Sequence, residues 1–260
     1  STLPACQAFD PAFAYELAVI VDDGLQRMYG HADPADNEDV FYYLTVYNET
    51  YEMPPRPDHL SGAEIVAGLY RWADAADRPL RASVVFSGPA HSAAREAADE
   101  LAQRWGVGVD LWSATSYKRL REDALAADRY NRLHPGTPPR TPLVTSLLAD
   151  GDGPVVAVTD YMTMVPDQVS RWVGRPFQTL GTDGFGRSDT RLALRRFFEV
   201  DAGHVVVAVL AALAEVGDVD PSVVAEAIDL HGIDSEAPDP GHHDTGPAPG
   251  HGVGHSTSPE

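Results

Sequence analysis

The chain has 260 residues, 43% of them hydrophobic, and sets 19 Lys and Arg against 39 Asp and Glu for a formal charge of -20. That length suits one large domain, or one domain with part of another, and so negative a chain repels a nucleic-acid backbone or an anionic membrane, so no nucleic acid and no membrane is expected as a partner. The single cysteine, Cys6, excludes an intramolecular disulfide and a cysteine-only metal site and fits a reducing, cytoplasmic setting; no signal peptide opens the sequence, and its longest apolar run, 205–214, is too short for a bilayer.

The first pattern is DPAFAYELAVIVDDGLQRMYG. Asp10 is placed to cap a helix with Pro11 at its first position, the helix runs over 12–29, and Gly30 ends it. The aromatic and β-branched run VFYYLTVY at 40–47 predicts a strand buried on both faces. One helix and one strand cannot complete a sheet, so residues 1–53 are expected to be the last helix and strand of a truncated α/β domain. Phe41, Tyr42, Tyr43 and Leu44 would then lack cover and promote self-association. Prolines at 54, 55 and 57 make 54–60 a stiff linker.

From Ser61 the pattern changes to alternating strands and helices. Ser61 and Glu64 form a capping box for a helix through Trp72, followed by a strand at 81–88, the helix HSAAREAADELAQRW, the strand VGVDLWSA and the helix YKRLREDALAADRYNRL. A proline-rich turn, the strand PVVAVTD, the helix MVPDQVSRWV and the strand PFQTL come next. Helices at 189–198, 203–216 and 221–231 complete a region, 61–233, that reads as an α/β domain of three layers around a mostly parallel sheet. Residues 234–260, rich in Pro, Gly and His, are expected to be disordered; His242, His243, His251 and His255 there are too glycine-spaced to share a helical face, and no physiological metal is assigned to them.

GTDGFGRSDT at 181–190 sits between a strand and a helix, where backbone N–H groups can face a phosphate. The spacing misses the dinucleotide fingerprint, since Asp189 stands where a third glycine belongs, and Asp183 and Asp189 would repel an anion. A structural turn with Ser188 or Asp189 capping the next helix is the expectation; an anion- or nucleotide-binding regulatory module at Gly184–Ser188, with Arg187 as charge partner, is the alternative. Elsewhere, Ser87 in FSGP lacks a nucleophile elbow, Asp22 and Asp23 read as solvated acids, His134 as a structural loop histidine, and Lys118, the sole lysine, as an exposed helical residue. Residue types and spacing name no catalytic, cofactor-binding or metal-binding residue.

Longer stretches carry a resemblance. FDPAFAYELAVIVDDGLQRMYG, FYYLTVYNETYEMP, SATSYKRLREDALAADRYNRLHPGTPPRTPLV, VVAVTDYM and GTDGFGRSDTRLALRRFFEVDAGHVVVAVLAAL resemble the homodimeric-type, thiamine-dependent first component of pyruvate dehydrogenase, in the transketolase superfamily. The resemblance implies that 1–53 ends a middle, pyrimidine-binding domain and that 61–233 is the C-terminal domain. It also implies oxidative decarboxylation of pyruvate with acetyl transfer to a lipoyl group. The cofactors so implied are thiamine diphosphate and magnesium, and the partners are the missing N-terminal and middle domains, a second subunit and a lipoyl-bearing acyltransferase. The family's motif of Gly-Asp-Gly followed later by Asn, which belongs to its first domain, and its activating glutamate do not occur here, since no Asn follows Gly151-Asp152-Gly153, so this chain alone is expected to hold no cofactor and to be inactive.

Overall fold

The computed structural model describes residues 2–241. Its first element is a strand that the sequence did not announce: β1 (Cys6–Phe9) pairs in parallel with β2 (Phe41–Leu44), Cys6 opposite Phe41 and Phe9 opposite Leu44. Four residues between Pro4 and a helix are too few for a periodicity to register. The first unit therefore has two strands, not one. On β2 the burial alternates, Phe41 and Tyr43 outward and Tyr42 and Leu44 partly covered, so the strand is not buried on both faces as expected.

The helix α1 (Ala14–Tyr29) begins two residues late, with Phe13 at the cap position. Asp10 does not cap it. Glu16, in the first turn, folds back and one of its oxygens accepts from the N–H groups of Ala12 at 2.5 Å and Phe13 at 3.0 Å. Its other oxygen accepts from the hydroxyls of Tyr70 and Ser113, each at 2.6 Å. A carboxylate with no exposed surface thus closes a helix end and ties it to two strands of the second sheet.

The Ser61–Glu64 capping box forms as read, but α2 (Gly62–Ala67) stops at Gly68 instead of reaching Trp72. Gly68 takes φ +111°, and a Cβ there would lie 2.8 Å from the Ser116 carbonyl, so the chain turns and Tyr70–Ala73 becomes strand β3. The larger sheet then contains β4 (Leu80–Phe86), β5 (Val107–Ser113), β6 (Val155–Val158) and β7 (Phe177–Leu180) in the order β3-β5-β4-β6-β7, parallel except for β3.

The helices are α3 (His91–Glu100), prolonged by a π turn at Leu101–Trp105, α4 (Tyr117–Leu133), α5 (Leu143–Leu148), which the sequence reading missed behind its prolines, α6 (Met164–Asp167), α7 (Arg191–Phe197), α8 (Ala202–Glu215) and α9 (Pro221–His231). The helix expected over 164–173 is a single turn of α6 and a separate 3-10 turn at Ser170–Trp172. One sheet face, with Ala82, Val84, Phe86, Val109 and Val158, packs on α3 and α8, and α9 lies behind α8. The other, with Val85, Trp112, Val155 and Ala157, packs on α4, α5 and Val169 and Val173. This is the expected three-layer α/β arrangement. By length and composition Arg191–Glu215 could span a bilayer, but half of that apolar stretch is buried inside the protein, Val205, Val206, Val209, Leu210 and Leu213 completely.

Beyond α9 the chain is not structureless at once. Asp234 accepts from the N–H of Glu236 at 3.0 Å, Asp239 from that of Gly241 at 2.7 Å, and the Pro240 carbonyl sits where a Cβ on Gly184 would be, 2.2 Å away. Most of the tail expected to be disordered, with His242, His243, His251 and His255, lies outside the described residues.

The strand order places a switch point. From β4 the chain moves to β5 on one side, then returns across β4 to β6 on the other. The segments leaving β4 and β6 go to opposite faces, α3 to one and 164–173 to the other, and open a crevice beyond the carboxyl ends of those strands, where α/β sheets bind ligands.

Candidate functional site

The floor of that crevice is two buried hydroxyls, Ser87 after β4 and Thr159 after β6, which share a hydrogen bond of 2.8 Å. Ser87 is too buried for a nucleophile. Next to it Gly88 takes φ +50°, and a Cβ there would meet the Tyr47 hydroxyl at 2.5 Å and Asp10 at 2.8 Å. Only glycine lets the segment after β2 run this close to the strand end.

That segment, 45–53, crosses the crevice as a strap. Thr45 donates to the Asp10 carboxylate at 2.5 Å, Tyr47 donates to the same oxygen, and Tyr51 donates to the Ala12 carbonyl at 2.6 Å. The second oxygen of Asp10 is buried without a partner among the described residues. Burial pushes the Asp10 carboxyl up from its ordinary value, against the hydrogen bonds from Thr45 and Tyr47. Burial likewise drives the Tyr47 hydroxyl far above its usual range, with the Asp10 charge adding to it. His91 packs between Tyr51, Phe13 and Phe86, with ring centroids 4.5, 5.0 and 6.4 Å away. Its Nδ1 has no partner among the described residues, and burial, helped by Arg95 and Arg195, lowers the imidazole pKa to about 4.

The far wall comes from 181–200. Arg195 holds Glu49 through both terminal nitrogens, at 2.6 and 3.3 Å, and Arg191 donates to Asn48 at 2.6 Å and lies 3.8 Å from Glu49. The Arg187 guanidinium stacks 4.1 Å over Phe197. Asn48, Glu49, Arg187, Arg191 and Arg195 enclose about 320 Å³ together with Asp160, Thr182, Gly184, Gly186 and Leu194. The Asp160 carboxylate, partly buried, makes no side-chain hydrogen bond or ion pair to a described residue; burial pushes it up to about 6, opposed by Arg195 and reinforced by Asp10 and Glu49. A larger cavity of about 610 Å³, lined by Arg81, Asp110 and Asp152, flanks the opposite, amino-terminal half of β4 and β5 and is not part of this crevice.

The residues singled out in the sequence are scattered. The Asp183 carboxylate accepts from the Thr163 N–H at 3.1 Å and its hydroxyl at 2.6 Å, and Asp189 accepts from Thr190 N–H at 2.7 Å; neither lines the crevice. The repulsion expected from them is therefore misplaced. Thr190, rather than Ser188 or Asp189, caps α7 by accepting from the N–H of Ala193 at 3.3 Å. Lys118 is buried and paired with Glu122, not exposed, because the first turn of α4 tucks under β1. His134 is exposed and stacked on Tyr130 at 4.2 Å. Asp23 accepts from Tyr42 at 2.5 Å, and Cys6 is a buried free thiol. Sequence reasoning missed Glu49, Asp160, Arg191 and Arg195. The i, i+4, i+8 spacing of Arg187, Arg191 and Arg195 was the available signal, in a chain otherwise dominated by acids.

Among the described residues no three His, Cys, Asp or Glu side chains are grouped to hold a metal ion. These residues do not fit a magnesium diphosphate site, and no chemical step is derived through one.

Comparison with known proteins adds three findings. The transketolase-like TK C-terminal domain family matches residues 68–201, and the pyruvate dehydrogenase E1 component middle domain family matches residues 1–54. The chain is 48% identical over 235 residues to the pyruvate dehydrogenase E1 component of Mycolicibacterium smegmatis, covering 90% of this chain and 25% of that protein. To the same component of Pseudomonas aeruginosa it is 45% identical over 244 residues, covering 92% of this chain and 27% of that protein. The chain thus spans about a quarter of the length of these relatives. Among solved structures, transketolase from Leishmania mexicana superposes with a TM-score of 0.56 at 18% identity, covering 83% of this chain and 26% of that one. Transketolase from Campylobacter jejuni gives 0.55 at 14% identity, covering 81% and 27%. At such identities the likeness concerns the fold.

Proposed function

The chain belongs to the transketolase-like C-terminal domain family, and from that premise we propose that it works as the C-terminal part of a pyruvate dehydrogenase E1 subunit. The observation that carries the reading is the 48% identity to such a component over 90% of the chain, an extent that takes in both matched regions. The proposed activity of the whole subunit is oxidative decarboxylation of pyruvate with transfer of the acetyl unit to a lipoyl group on a partner acyltransferase, in the cytoplasm. Thiamine diphosphate and magnesium belong to that proposal; thiamine would supply the carbon nucleophile, held by residues outside this chain.

This chain's own part is positional. The Glu16 and Glu49 carboxylates and the Asp10 main chain, which bonds Thr115 and Gly88, join residues 1–54 to the second sheet or its loops, so the domain fixes the end of β2 and the strap that follows it. Apolar surface at Tyr29, Phe41, Tyr43 and Val46, between 50 and 73% exposed, supports contact with the rest of the subunit and with a second copy. The test is an assay of residues 1–260 with pyruvate, thiamine diphosphate and magnesium. The proposal expects no carbon dioxide release above background, and sustained turnover would overturn the positional role.

A further inference from the structure

We propose that the cavity of about 340 Å³ between β1 and the segment 161–168 binds a small organic ammonium, its charged nitrogen on the Asp10 carboxylate and its carbon body against the tyrosines around it. The argument starts from two orphaned oxygens. Among the described residues two buried side-chain oxygens find no hydrogen-bond partner, Asp10 Oδ2 and the Tyr117 hydroxyl, and both residues line this one cavity. They are 8 and 5% exposed. Native proteins rarely leave such groups unpaired, so two at one cavity mark a place where a ligand supplies the partner.

Charge decides the class of ligand. The other Asp10 oxygen already accepts from Thr45 and Tyr47, and no described Lys, Arg or His comes within ion-pair distance of the carboxylate. Lys118, the cation in the lining, is held by Glu122 one turn further along α4. Asp10 is thus a buried carboxylate with hydrogen bonds but no counter-charge, and a ligand ammonium provides the charge while donating to Oδ2. The Tyr117 hydroxyl and the amide oxygen of Gln168, whose nitrogen is engaged by the Val165 carbonyl at 2.6 Å, are acceptors for its other N–H groups. The Asp10 charge adds to burial in raising both the Tyr117 and the Tyr161 hydroxyls, so its field reaches both walls of the cavity.

The walls suit the rest of a cation. Tyr43, Tyr117 and Tyr161 line the cavity, and none of the three rings stacks on another described ring or under a described guanidinium. Their faces are left for the cation and the carbons next to it, with Phe9 and Val165 adding apolar contact. The frame is fixed by main-chain bonds that need no ligand: the Asp10 N–H donates to the Thr115 carbonyl at 2.8 Å, the Asp10 carbonyl accepts from Gly88 at 3.3 Å, and the Ser116 hydroxyl donates to the Ala8 carbonyl at 2.6 Å. About 340 Å³ lies at the small end of ligand pockets, room for an ammonium on a body of a few carbons.

The test is titration calorimetry of the 260-residue chain at neutral pH with three probes of one carbon skeleton, isopentylamine, isopentanol and isovalerate, with ligand NMR line widths as a second readout. The amine is expected to bind about tenfold more tightly than the alcohol, a scale set by one charge-assisted contact, and isovalerate more weakly than either. Asp10→Asn keeps an oxygen for Thr45 and Tyr47 and removes the charge, so it should weaken the amine about tenfold while changing the alcohol little. Tyr117→Phe should weaken the amine as well. If the Asp10→Asn chain does not melt like the wild type, the order of the three probes on the wild type and the effect of Tyr117→Phe decide the question. No amine binding at millimolar probe, alcohol or isovalerate binding as tight as the amine, or amine binding insensitive to both substitutions, as the acidic surface at large would give, would each overturn the proposal. None of these readouts involves pyruvate, so their failure leaves the E1 assignment standing, and failure of that assignment leaves them unaffected.

Discussion

Arg195 and Glu49 meet across 146 residues of chain, two guanidinium nitrogens on one carboxylate at 2.6 and 3.3 Å. Their side chains are only 18 and 24% exposed, so the pair is shielded from much of the solvent and salt that weaken surface ion pairs. It joins α7 to the strap and so couples the matched middle-domain segment to the C-terminal domain. Glu49→Gln should lower unfolding stability by about 1–2 kcal/mol in urea, with Arg195→Gln doing the same and the double variant losing less than the sum. Strict additivity would remove the coupling.

Among the described residues Glu16 is a fully buried carboxylate with every oxygen engaged. Both oxygens are filled by four donors, from Ala12, Phe13, Tyr70 and Ser113. An amide in its place must turn an N–H₂ toward other donors. Glu16→Gln is therefore expected to cost about 2–4 kcal/mol, measured by chemical denaturation, more than an exposed acid-to-amide change such as Asp22→Asn.

Gly88 tests the packing of the strap directly. Its φ of +50° disfavours a side chain, and the nearest atoms leave no room for one. Gly88→Ala should destabilise by about 2 kcal/mol or more and increase proteolytic cleavage within 45–53. Unchanged protease resistance would mean that the strap does not depend on this contact.

His91 gives a pH dependence with a definite sign. Its folded value is lowered from 6.5 to about 4, so between those values the unfolded chain binds more protons than the folded one. Stability is complete above pH 6.5 and falls as the pH is lowered toward 4, by a total on the order of 3 kcal/mol. His91→Phe should flatten that slope, and the ring of His91 should stay neutral by NMR at pH 5.5.

Asp160 acts in the opposite direction. With its folded value raised from 3.8 to about 6, the folded state holds the proton longer, and its contribution is fully present below pH 3.8 and lost as the pH rises through 6. Asp160→Asn should melt at higher temperature than wild type at pH 7.5, with the difference closing near pH 4.

The layers of the fold were legible because the strands β4, β5 and β6 are dense in Val and the helices between them are amphipathic. What escaped was decided by contacts far apart in sequence. β1 is a strand because β2 lies beside it, and β3 takes the place of the last turn of the expected helix because Gly68 must pass the Ser116 carbonyl. The crevice was half visible: GTDGFG stood out, yet its acids do not line it, and the polar groups facing its arginines, Asn48, Glu49 and Asp160, come from other segments. The arginine spacing was readable, but nothing local says that residue 49 is its partner.

The most direct test of the central claim is a graft. The C-terminal quarter of the Mycolicibacterium smegmatis pyruvate dehydrogenase E1 component is replaced by residues 1–241, and pyruvate-dependent acetyl transfer to a lipoyl acceptor is measured with thiamine diphosphate and magnesium. The account predicts turnover within about tenfold of the parent, since the exchanged segment positions and does not itself react. A chimera that is folded and binds thiamine diphosphate but releases no carbon dioxide from pyruvate would contradict it.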